Sequence, residues 1–153
     1  MQLNRLFFAC VLILFLLTGC GTEAVELSDE FPPSMSGAVI VEGETYKLEE
    51  GNSKWERKQG LETEVAMTDA PSPLQLAEMV DAIKMEGNTD ILIEIEQDPD
   101  LSVYLWNDTD RDQEIKLTDN QFLAPFSQGR YVYEVFAEWE NGEVSYTFVV
   151  EVN

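Results

Sequence analysis

The densest group of side chains able to do chemistry is the run from Asn107 to Gln113, which carries aspartate at alternate positions. Asp108, Asp110 and Asp112 stand at the first, third and fifth positions of a calcium-binding loop, with Ile115 at the eighth and Asp119 at the twelfth. Alternate side chains of a wrapped loop point to one centre, so carboxylates at this spacing can converge on a hard cation. Two departures weigh against that reading. Gln113 occupies the position where such a loop needs glycine for its sharp turn, and the flanking residues alternate as strands rather than continuing as helices. The competing reading, a solvated acidic hairpin tip, fits better; no cofactor is required, and calcium is the one the spacing suggests.

A second group is Lys54-Trp55-Glu56-Arg57-Lys58, a small basic stretch around an aromatic ring. Lys54, Trp55 and Lys58 together offer a site for an anionic wall polymer or a sugar. Strand alternation, however, puts Trp55 on the face opposite Lys54, Glu56 and Lys58, which makes Trp55 a core residue. The carboxylate pairs Glu94 with Glu96 and Glu134 with Glu138 have the composition of a glycoside hydrolase acid and base, with Tyr104, Trp106 or Trp139 to hold the sugar. Glutamate at alternating positions is equally the ordinary pattern of a solvent-facing strand. The chain has no histidine, which excludes histidine-dependent triads and histidine-ligated zinc. It also has no nucleophile elbow, phosphate loop or dinucleotide fingerprint. The expectation is that it is not an enzyme.

The elements that must position these residues are short strands. Gly37 to Val41 is apolar, and Glu44 to Leu48 puts Tyr46 and Leu48 on one face, with Glu42-Gly43 as a tight turn between them. Lys54 to Lys58 ends at the breaker Gly60. Glu62 to Met67 reads as a strand with Thr63, Val65 and Met67 inward. Asp90 to Glu96 alternates with Ile91, Ile93 and Ile95 on the buried face, and Pro99 closes it off. Val103 to Trp106 and Glu114 to Leu117 flank the acidic turn. One helix is predicted near 73–80: Ser72 can cap it, Pro73 suits its first position, and Leu74, Ala77 and Val80 fall at helical spacing.

The clearest pairing is at the C-terminus. Tyr131, Tyr133, Val135, Ala137 and Trp139 are odd-numbered, whereas Val144, Tyr146, Phe148, Val150 and Val152 are even-numbered. Asn141-Gly142 between them has the composition of a type I′ turn. That turn predicts a hairpin in which Trp139 faces Val144, Ala137 faces Tyr146 and Tyr133 faces Val150.

At the other end, Arg5 precedes an apolar segment from Leu6 to Leu17, too short to span a bilayer, and then comes Leu17-Thr18-Gly19-Cys20. This boundary resembles the lipobox of bacterial lipoproteins. The resemblance implies that residues 1–19 are a signal peptide, that Cys20 is lipidated, and that the mature chain stays on the outer, extracytoplasmic face of the cell membrane. Residues 20–36, rich in acids and Ser with Pro32-Pro33, read as a flexible tether reaching up to about 50 Å; residues 37–153 form the domain. Cys10 lies in the signal and Cys20 carries the lipid, so no disulfide is expected.

Without residues 1–19 the chain keeps eight Lys+Arg against 30 Asp+Glu, a formal charge of −22. That field repels nucleic acid phosphates and anionic lipid head groups and favours cations or basic proteins as partners. At 44% hydrophobic and 10% aromatic the chain still has enough apolar side chain for a core.

Gly129-Arg130-Tyr131-Val132-Tyr133 resembles the Gly-x-Tyr-x-Cys stretch at the start of the penultimate strand of immunoglobulin-like domains, with Tyr133 in place of the cysteine and Ser127 where aspartate is frequent. Together with Trp106, Ala124-Pro125 and the Tyr131 to Phe148 region, it is similar to small lipoproteins of spore-forming Gram-positive bacteria whose role is not established. The resemblance implies an all-β, immunoglobulin-like antiparallel sandwich without its disulfide, and it supplies no activity to carry over. The expected function is a lipid-anchored, extracytoplasmic binding or interaction module of unknown ligand, its partner an unknown protein or wall polymer. The alternatives are a module for wall polymer or carbohydrate, using Phe136, Tyr104 or Trp106 with the Lys54 to Lys58 stretch, and calcium-dependent surface adhesion or stabilisation.

Overall fold

A computed structural model describes residues 30–153; the signal segment, Cys20 and the first part of the tether lie outside the described residues. Eleven strands and one helix follow in order: β1 (Gly37–Val41), β2 (Glu44–Lys47), β3 (Glu49–Gln59), β4 (Glu62–Thr68), α1 (Pro73–Ala77), β5 (Ile83–Met85), β6 (Asp90–Ile95), β7 (Asp100–Trp106), β8 (Arg111–Ile115), β9 (Gln121–Leu123), β10 (Gly129–Trp139) and β11 (Gly142–Val152). They form an all-β sandwich. The smaller sheet has the order β2-β1-β6-β9; the larger runs β4-β3-β11-β10-β7-β8, with β5 parallel to the end of β11.

Strands β6 to β11 carry the immunoglobulin-like connectivity. β6 pairs with β9 in one sheet, while β11, β10, β7 and β8 pair in sequence in the other. The preceding hairpins β1-β2 and β3-β4 each extend one sheet. Tyr131 makes the corner expected of this fold: its hydroxyl donates to the Ser127 carbonyl at 2.8 Å. Tyr133, at the cysteine position, is buried, stacked on Phe148 with ring centroids 5.1 Å apart and packed against the tilted ring of Phe122 at 5.2 Å. Aromatic packing fills the space between the sheets that a disulfide would cross.

The inward set follows the alternation. Val39, Val41, Ile91 and Ile93 from the smaller sheet meet Val103, Tyr133, Val135, Ala137, Val144, Tyr146 and Phe148 from the larger. The Glu42-Gly43 turn has positive φ at both residues, as a two-residue hairpin requires. The Ser72 hydroxyl accepts from the Gln75 amide while the Gln75 side chain accepts from the Ser72 amide, so a capping box and Pro73 together start α1. The helix ends at Ala77, three residues short of the expected bound.

Four expectations are corrected. The hairpin β10-β11 turns at Glu140-Asn141, one residue earlier than predicted, so that Trp139 faces Gly142, Ala137 faces Val144 and Tyr133 faces Phe148. None of residues 140–142 has positive φ. Gly142 is needed for a different reason: a Cβ there would lie 2.0 Å from Cε3 of Trp55. The indole lies against this backbone with its ring centre 5.1 Å from that of Trp139, the two planes tilted by 37°, and Glu56 N–H donates to the Asn141 carbonyl at 2.8 Å. Parity is preserved by the shift, which is why the inward residues are unchanged.

In β4 the faces are reversed. Ala66 pairs with Trp55 on the inner side, and Thr63, Val65 and Met67 are exposed on the outer side. Strand β8 begins at Arg111, so the acidic turn is shorter than the sequence suggested. The tether gives way to ordered packing before residue 36. Met35 is buried in the core and its carbonyl accepts from the Tyr146 hydroxyl at 2.7 Å. The Ser36 amide donates to Glu96 at 2.8 Å, and Phe31 packs on the core beneath Arg57.

Candidate functional site

The outer face of the larger sheet carries the best-defined polar constellation. Glu134 sits in the middle of β10, opposite Tyr104 of β7 and Thr147 of β11, and is only 4% exposed. A carboxylate at such depth needs partners for its charge. Arg111, opposite Trp106 across a bulge between β7 and β8, supplies a two-pronged contact: Nε to Oε2 at 2.8 Å and Nη2 to Oε1 at 2.9 Å. The Trp106 indole N–H donates to Oε2 at 2.8 Å, and the Ser145 hydroxyl donates to Oε1 at 2.8 Å. Burial pushes the Glu134 carboxyl up, but these hydrogen bonds and the Arg111 charge outweigh it and leave it below its ordinary value of 4.5. The hydrogen bond to Glu134 likewise raises the Arg111 guanidinium.

Glu134 fixes Arg111 in turn. The guanidinium carbon lies 4.2 Å from the Tyr104 ring centre and 5.7 Å from that of Phe136, while 43% of the side chain still faces solvent. Tyr104, Trp106 and Phe136 are half-buried beside it. Helix α1 covers the neighbouring part of the same face, where Ala77 packs on Val132 and Val149 and the Arg130 guanidinium donates to the Ala77 carbonyl. The result is a firm floor of aromatic rings with one immobilised arginine. Such a surface can dock a flat or aromatic group and offer it N–H donors. Glu134 has no free lone-pair geometry left for acid–base work, and Glu138, four residues on, is exposed.

The sequence singled out Tyr104, Trp106 and Phe136, and the fold brings these three together. It had read Glu134 as a solvated strand carboxylate and had given Arg111 no role. The Lys54 to Lys58 stretch is not brought to them as a site. Trp55 is buried against Trp139, so its ring offers no face to a ligand; Lys54 pairs with Glu56 at 2.8 Å and Lys58 is exposed near the end of β3.

The fold does not gather the carboxylates of the calcium loop. Asn107 organises the turn itself: its side-chain oxygen accepts from the Thr109 amide at 2.8 Å and the Asp110 amide at 3.0 Å. Asp108 and Asp110 are exposed in this turn, Asp112 is an exposed strand residue of β8, and Asp119 belongs to a separate turn with Asn120, both at positive φ. Among the described residues no group of three or more carboxylates, cysteines or histidines is placed to hold a metal. Asp119 instead lines an open cleft of about 790 Å³ on the outer face of the smaller sheet, with Glu94, Glu96, Asp98 and Lys47. No helix among the described residues is long and apolar enough to cross a membrane.

No protein family, curated protein or solved structure matches the chain.

Proposed function

We propose that this chain is a binding module, held by lipid on Cys20 at the outer face of the cell membrane, that presents the Tyr104, Trp106, Arg111 and Phe136 face to a protein partner. The observation that carries this reading is the immobilised Arg111. An arginine on an ordinary solvated surface keeps its rotamer freedom, whereas this one is held by Glu134 and two rings before anything binds, so ordering it costs a partner little. Tryptophan, tyrosine and arginine are also the residues that dominate binding energy at protein interfaces. A mature charge of −22 favours a neutral or basic partner surface and disfavours nucleic acid and anionic polymers.

A second reading is supported by the same rings: a neutral glycan of the wall stacked on Tyr104 and Phe136. Sedimentation of the exported chain with purified wall sacculi decides between them. Retention that is lost in Tyr104→Ala and Phe136→Ala, with the fold intact, favours the glycan; no retention leaves the protein partner. The anchor has its own test in fractionation of cells producing the full chain. Wild type is expected in the membrane fraction and Cys20→Ala in the soluble one; equal distribution of the two would exclude anchoring through Cys20.

A further inference from the structure

Strands β3 and β4 outgrow the sheet they belong to. β11 stops pairing with β3 at Gly142 opposite Trp55, and from Arg57 to Glu64 the hairpin pairs only with itself. Its turn is made by Gly60 at φ 64 and by Leu61, which is fully exposed at the tip. Leu61 contributes nothing to the core and is more exposed than any other large apolar side chain among the described residues, Phe126 included.

The charge of this hairpin is also unlike the rest. In its outer part, residues 54–67, Lys54, Arg57 and Lys58 balance Glu56, Glu62 and Glu64, with Glu49 and Glu50 left at its base, in a protein whose formal charge is −21. Glu64 accepts from both Arg57, at 2.8 Å, and Gln59, at 2.9 Å, which stiffens the stem close to the tip. The Arg57 guanidinium covers the ring of Phe31 at 4.4 Å. The chain therefore enters the domain directly beside this hairpin, and it is the entering segment that leads back to Cys20. Phe31 is eleven residue steps from Cys20, a reach of up to about 36 Å at ~3.3 Å per residue. The described chain begins at the end of the sandwich that carries the hairpin tip, where Phe31 lies under Arg57.

We infer that the tip of the β3-β4 hairpin is a lipid contact, with Leu61 seated in the head-group region of the membrane that holds the chain. This inference rests on the reading of Cys20 as the lipidated residue. A bilayer surface accepts an apolar tip whose flanking charges cancel, and it repels the uncompensated acids elsewhere on the domain. The contact fixes the orientation of the molecule. The β3-β4 hairpin and the Glu140-Asn141 turn face the membrane, and the Asn107 to Asp110 turn, at the opposite end of β7, points away from it.

The test uses the full lipidated chain in vesicles of phosphatidylglycerol and phosphatidylethanolamine, with an environment-sensitive fluorophore on Leu61→Cys and, separately, on Asp108→Cys. Both positions are exposed, so neither substitution disturbs the core. Vesicle flotation is measured first, then quenching by doxyl-labelled lipid. The expected result is flotation of both proteins and a several-fold stronger quenching at 61 than at 108. Flotation with equal quenching at the two positions overturns the lipid contact and leaves the anchor intact. Failure to float, with Cys20 still reactive as a free thiol, overturns the anchor and the lipid contact with it.

Discussion

Glu134 and Arg111 control each other, and the cost of separating them falls mainly on the buried partner. Removing the guanidinium leaves a carboxylate that is 4% exposed with only Trp106 and Ser145 as donors. Arg111→Ala is expected to lose about 1–3 kcal/mol in denaturant unfolding, since Arg111 itself is substantially hydrated. The linkage has a definite sign. The folded-state pKa of Glu134 is depressed below 4.5, so its contribution is fully present above that pH and is lost as pH falls through the folded value. Glu134→Gln should accordingly flatten the acid limb of the stability profile below pH 4.5, and an unchanged limb would show that the carboxylate is not held ionised. On the same face, Thr147 is 1% exposed and its hydroxyl has no hydrogen-bond partner among the described residues. Thr147→Val keeps the shape and removes the unpaired group, and chemical unfolding should show a gain of roughly 1 kcal/mol. None of this was visible in the chain itself. Glu134 alternates like any surface strand residue, and what buries it is an arginine on β8, a strand whose bulged register no local pattern specifies.

At the scale of elements, the elements whose rules are local were legible and those fixed by neighbours were not. The capping box at Ser72 and Gln75, the positive-φ turn at Glu42-Gly43 and the alternation of β6, β10 and β11 all follow from residues close in sequence. The face of β4 did not, because its Val65 and Met67 obey the same alternation inward or outward, and pairing with Trp55 of β3 decides in favour of Ala66. Strand β9 is three residues long and exists through its pairing with β6. Asn141-Gly142 carried a real signal with the wrong cause, since the glycine accommodates Trp55. Gly142→Ala should destabilise by about 1–3 kcal/mol and shift the Trp55 fluorescence, whereas a glycine needed for its φ would leave the indole environment unchanged. The acidic turn is built by Asn107, so the melting temperature in millimolar calcium should match that in EDTA; a calcium-specific rise would mean that Asp108, Asp110 and Asp112 regroup around the ion.

At the scale of the molecule, two sheets of opposite use share one core. The smaller sheet turns an acidic cleft outward, and the larger presents aromatic rings around Arg111 next to the short helix. The immunoglobulin-like sandwich could be anticipated from the Tyr131 corner and the C-terminal hairpin, because that fold is set by alternation and corner chemistry. The aromatic face around Arg111 could not be assembled in advance, since its members come from β7, β8 and β10 and meet only after the strands are ordered β10-β7-β8. Its role as a recognition face is the central claim, and site-specific photocrosslinking in cells producing the full chain tests it most directly. A benzoylphenylalanine at Tyr104 is predicted to give a discrete adduct that disappears in Arg111→Ala, while the same group at Thr45, on the outer face of the smaller sheet, gives none. Equal adducts from both positions, or none from Tyr104, would contradict the account.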